Sequence, residues 1–201
     1  MRSYINEVKS MKKTMFLIIF FTLVMTACSK KTSREALMNI PDDYSLEDAK
    51  SDDCVVYEDG DITYGKSFWD DFVTATEKRK STTVRLAFYY TLGNPSSYSK
   101  EYYKAIKDDY PVIYIKDLSY DGEKYKIEGI EDGQMITKEY KYMVKYEGQP
   151  DSASALVSDY IYYVLVNDNS VTWDDIQKGM FSSKFGDGID HYMVYEELVW
   201  K

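Results

Sequence analysis

Nucleophilic sites and zinc sites are most often built from cysteine and histidine, and this sequence carries only two Cys and one His. Cys54 stands in Asp53-Cys54-Val55-Val56-Tyr57, directly before an apolar triplet. With His191 as its base it would form a nucleophilic pair. No cysteine-protease signature surrounds it, so a buried, inert thiol is the expectation. His191 precedes Met193 and Tyr195 near the end of the chain and reads as a structural polar group. Asp59-Gly60-Asp61 and Asp187-Gly188-Ile189-Asp190 space their acids as calcium loops do, but lack the twelve-residue pattern of an EF-hand and read as acidic turns. GxSxG, SxxK and P-loop signatures are absent. A pair of carboxylates suited to glycoside hydrolysis stays open as an alternative, because its spacing is set by the fold. Nothing in the sequence calls for a metal or a cofactor.

Two other features bear on chemistry. Arg85 interrupts the apolar run 84–91 and must pair with an acid or reach a sheet edge, since an unpaired buried charge is costly. Tyrosine is abundant, with 21 residues. Its ring packs well, but its hydroxyl needs a partner or water, so a surplus suggests an aromatic surface for a glycan or a peptide. The tyrosines least claimed by packing are Tyr98, Tyr102, Tyr103 and Tyr110, which flank a Gly-Asn-Pro loop and a short helix. They are the candidate binding residues.

The clearest chemistry lies near the start. An apolar run covers residues 15–25, eleven positions broken only by Thr22. At ~1.5 Å per residue this is roughly half the thickness of a bilayer core, the length of a signal-peptide core and not of a spanning helix. The run ends in Met25-Thr26-Ala27-Cys28, which resembles the lipobox of bacterial lipoproteins, whose cysteine receives a diacylglyceryl thioether. Residues 1–27 are read as signal peptide with Met11 as the start, and Cys28 as the lipidated first residue of the mature chain, held at the extracytoplasmic face of the cell membrane. A fatty-acid label should follow Cys28, and Cys28→Ser should leave the membrane fraction; label kept by the variant would contradict lipidation. With Cys28 lipidated, Cys54 has no disulfide partner.

The formal charge is −9 overall, but beyond residue 35 it is −14, from 18 basic and 32 acidic groups. That balance argues against nucleic acid as a partner. Lys30, Lys31 and Arg34 follow the lipid site and suit anionic headgroups, while the acidic remainder is repelled from them.

Residues 28–45 are polar and read as a lipidated tether, with a brief helical stretch near 34–39. The rest, 46–201, reads as one globular domain. Ser45 and Asp48 form a capping pattern for a helix over 46–51. Phe68, Trp69, Phe72, Val73 and Thr76 share one face of a helix over 66–79. Ser99 caps a helix through about 109 with Tyr102, Tyr103 and Ile106 inward, and Thr172 caps another. Strands are expected at 55–57, 84–91, 112–120, 125–130, 136–146, 160–166 and 192–199, with hairpin turns at Asp121-Gly122 and Glu131-Asp132-Gly133. The sum is α+β: a twisted, largely antiparallel sheet of five to seven strands with two to four helices packed mainly on one face.

In this order the residues carry a resemblance. Leu46-Glu47-Asp48-Ala49, Cys54-Val55-Val56, the helix around Phe68–Val73, Val84-Arg85-Leu86-Ala87-Phe88-Tyr89-Tyr90-Thr91, Asn94-Pro95 and Tyr110-Pro111-Val112-Ile113-Tyr114 together resemble an uncharacterised Gram-positive lipoprotein family, a domain of unknown function in exported proteins. The resemblance runs over about residues 46–125. It implies a lipoprotein with a compact α+β domain and carries over no catalytic or binding residue. The expectation is therefore a lipid-anchored binding or interaction module meeting an envelope protein, peptide or glycan. An envelope-polymer hydrolase is the alternative.

Overall fold

The computed structural model describes residues 33–150, 152, 154–182 and 188–201; Cys28 and the signal segment lie outside them. The chain is α+β, with five helices and nine strands among the described residues. In order these are α1 (Ser33–Met38), α2 (Leu46–Ser51), β1 (Val55–Glu58), β2 (Asp61–Tyr64), α3 (Lys66–Glu77), β3 (Thr82–Tyr90), α4 (Lys100–Ile106), β4 (Val112–Tyr120), β5 (Tyr125–Glu131), β6 (Gln134–Tyr140), β7 (Tyr142–Gly148), β8 (Val157–Val166), α5 (Trp173–Phe181) and β9 (His191–Trp200). Six strands form one sheet in the order β2-β1-β3-β4-β5-β6, and three form a second, β7-β8-β9. All neighbours are antiparallel except β1 and β3, which run parallel with Val55 opposite Leu86 and Tyr57 opposite Phe88.

Period-two alternation divides the side chains of the large sheet between two apolar layers. Val55, Tyr57, Val84, Leu86, Leu118 and Ile127 face a core shared with Trp69 and Phe72 of α3 and with Leu165, Val194 and Tyr195 of the small sheet. Val56, Ala87 and Ile115 face the other way, onto Leu37 of α1, Ala49 of α2 and Cys54. A third cluster, Val164, Val166 and Ile176, seals α5 onto the outer face of the small sheet. Helices thus cover both faces of the large sheet, where the sequence pattern points to mainly one, and β7-β8-β9 is a second sheet laid over the first.

Two boundaries differ from expectation. The tether expected across 28–45 ends earlier, because Leu37 is 1% exposed and packs against the sheet; the compact unit begins at Ser33. The single strand expected over 136–146 is two strands in different sheets, joined at Lys141. Elsewhere local chemistry acts as read. Ser45 and Thr172 each form a capping box, with Asp48 and Asp175 respectively. Gly65 opens α3 at φ +76°, where an added Cβ would lie 2.3 Å from the Cys54 carbonyl oxygen. Only glycine meets both demands.

Candidate functional site

β9 is the edge strand of the small sheet and runs crosswise over the large one. Tyr192 lies by Lys116 of β4, Tyr195 packs on Tyr57 of β1, and the Trp200 indole N–H donates to Asp61 of β2 at 3.4 Å. A bulge bends the strand midway. Tyr163 opposes Tyr195 and Val164 opposes Met193, leaving Val194 as the extra residue. Val194 and Tyr195 are consecutive yet both buried, and the Tyr57 hydroxyl donates to the Val194 carbonyl at 3.3 Å. Bulges re-aim side chains in this way beside binding sites.

The crossing leaves a groove of about 460 Å³ between β9 and the exposed end of β3 and β4. Phe88, Tyr90 and Tyr114 line it from the large sheet, and the backbone and side chains of residues 192–196 from β9. The Tyr90 and Tyr114 rings lie 6.1 Å apart and remain exposed, while Tyr57 stacks on Phe88 at 4.9 Å beneath. Lys116 Nζ donates to the Tyr192 hydroxyl at 2.6 Å and to Glu131 at 2.9 Å, and lies 5.1 Å from the centre of the Tyr192 ring. Burial opposes the Lys116 charge, but its hydrogen bonds to Tyr192 and Glu131 outweigh that and raise its pKa. The same hydrogen bond from Lys116 lowers that of Glu131. Glu196, at the rim, goes the other way, raised first by burial and then by the charge of Asp61. The site therefore offers aromatic faces, one half-buried ammonium and two carboxylates in unlike surroundings. That volume suits a small organic ligand or a short stretch of polymer.

The tyrosines expected to bind stand elsewhere. Residues 91–111 leave the large sheet between Tyr90 and Val112 as an excursion in which α4 buries no residue, so Tyr102, Tyr103 and Ile106 do not turn into a core as their spacing implies. Tyr98 packs on Tyr102 and Tyr103 at 5.9 and 6.4 Å, and Tyr102 is 56% exposed. Tyr110 is exposed at the return to β4. None of the four lines the groove, although the excursion springs from its end. The groove tyrosines escaped notice because they sit within strands, where alternation assigns them to packing; which strand end stays uncovered depends on where β9 crosses.

The remaining candidates resolve plainly. Cys54 is fully buried, its thiol pushed up to about 11 by burial, and its nearest polar neighbour is the Tyr44 hydroxyl at 3.9 Å. His191 Nδ1 donates to the Ile189 carbonyl at 2.7 Å and lies in another layer. The Asp59 carboxylate accepts from the backbone N–H and hydroxyl of Thr91, both at 2.7 Å, clasping the end of β3. Among the described residues no three metal-binding side chains cluster. Arg85 forms a two-pronged pair with Asp117 at 2.7 and 3.0 Å, the ion pair its position requires.

No family model, curated protein or solved structure matches the chain.

Proposed function

We propose that the chain is a lipid-anchored extracytoplasmic module of the kind its lipoprotein resemblance implies, and that it binds an envelope-derived ligand in the groove beside β9. The observation that carries this is the aromatic wall of Tyr90 and Tyr114, two exposed, adjacent rings over a cavity of about 460 Å³. Exposed rings contribute nothing to the core and supply contact area at low entropic cost. The lipobox-like Met25-Thr26-Ala27-Cys28 supports the location.

Fragments from an enzymatic digest of bacterial cell wall, passed over the immobilised protein, should be retained and identified by mass. The double variant Tyr90→Ala/Tyr114→Ala should retain at least about tenfold less at unchanged thermal midpoint, since two stacking contacts of ~1 kcal/mol each are lost. Equal retention would remove the groove from the reading.

One observation favours a hydrolase as the second reading. Glu131 and Glu196 line one groove and are held in opposite directions, as an ionised base and a protonated acid would be. In that case retained fragments shorten with time and Glu196→Gln stops the shortening.

A further inference from the structure

The groove is charged unequally along its length, and this deepens the binding reading, on which it rests. At one end the Tyr192 ring faces two ammonium groups, Lys116 at 5.1 Å and Lys138 at 5.9 Å. Glu131 offsets one of them, which leaves that end positive. At the other end Glu196 stands at the rim beside Gly60, with Asp61 next in the chain. Neither carboxylate meets a cation within ion-pair distance among the described residues; Asp61 takes only the Trp200 indole N–H at 3.4 Å. Tyr192 and Glu196 are four steps apart on β9, about 13 Å at ordinary strand rise, the span of four extended residues. Between them runs the unpaired edge of β9, and opposite lie the apolar faces of Phe88, Tyr90 and Tyr114.

A neutral saccharide would leave both charged ends desolvated without a counter-charge, and a purely anionic ligand would be repelled at Glu196 and Asp61. A chain with one positive and one negative terminus complements both ends. We infer that the groove binds a short peptide of about four residues with free termini, extended and antiparallel to β9, its ammonium at Glu196 and Asp61 and its carboxylate at Lys116 and Lys138. Main-chain groups would meet the strand edge while alternate side chains fall on the aromatic wall, as in other strand-addition complexes.

The test is calorimetric titration of the full-length protein with Leu-Ala-Leu-Ala and Ala-Leu-Ala-Leu, the two phases of alternation. Each is compared with its N-acetylated and its C-amidated form, and chitotetraose serves as the glycan arm. At least one free peptide should bind, and each cap should weaken it about tenfold or more. In Glu196→Gln the acetylation penalty should collapse while the amidation penalty persists, and in Lys116→Met the reverse. A ligand held only for packing would not show this exchange. Capped and free peptides binding alike, or no peptide binding at 10 mM (roughly the weakest contact worth calling specific), would overturn the inference. If chitotetraose binds instead and loses affinity in Tyr90→Ala/Tyr114→Ala, the groove stands as a site and the peptide falls. If no ligand responds to that double variant, the groove itself falls.

Discussion

Arg85→Leu should destabilise the folded domain by about 3–5 kcal/mol, the usual result of stripping one partner from a buried ion pair. Asp117 is 3% exposed and takes both prongs of the guanidinium. Across the sheet its register partner on β5 is Glu128, also buried, whose own cation is Lys126 at 2.8 Å. Without Arg85, two carboxylates face each other under the layer formed by α1 and α2. The loss is a large part of the ~5–15 kcal/mol available to a domain of this size and should lower its melting temperature by roughly 10 °C. Pairing it with Asp117→Leu should recover most of the stability, since an apolar pair of similar volume replaces a desolvated charged one. Urea unfolding of the two variants distinguishes this from a solvent-screened pair, for which Arg85→Leu alone would cost under about 1 kcal/mol.

Trp69→Ala should cost a similar 3–5 kcal/mol, by a different route. The indole stacks on Tyr195 at 4.6 Å, meets Tyr163 edge-on at 5.2 Å and touches Phe72 at 5.7 Å, so its removal empties the junction of α3 with both sheets. The Trp69 N–H is buried without a hydrogen-bond partner among the described residues, an unfavourable contact that the packing outweighs. Trp69→Phe keeps much of the packing and removes that donor, and should cost well under half as much. Because Tyr195 lines the groove from its position against Trp69, the alanine variant should also weaken ligand binding at temperatures where it remains folded. Loss of stability with affinity unchanged would mean that the groove is positioned independently of this cluster.

Much of the local structure was legible in the chain. Ser45 with Asp48 and Thr172 with Asp175 mark helix starts through a side-chain oxygen and an acid three residues on, and both boxes close as spelled. The face of α3 follows from its spacing, and the need of Arg85 for a partner follows from the cost of a bare buried charge. What was not legible is set by distant contacts. Lys141 joins two sheets with no glycine or proline to announce the switch, so 134–148 reads as one alternating run. Val194 is an extra residue in β9 only relative to β8, a property of register that β9 alone does not contain. The groove depends on both: the chain leaves the large sheet at Lys141, and its last strand crosses back over it. Tyr90 and Tyr114 look like sheet residues until that crossing shows which ends stay bare. Tyr98 and Tyr102 looked better because loops and short helices are where uncommitted rings are sought.

The claim that the recognition surface is the groove, and not the excursion, is tested most directly by ring-labelled tyrosine spectra of the full-length protein, recorded as cell-wall digest fragments are added. The resonances of Tyr90, Tyr114 and Tyr192 should move together and saturate, while those of Tyr98, Tyr102 and Tyr103 stay in place. Movement of the excursion tyrosines with Tyr90, Tyr114 and Tyr192 unchanged would contradict it.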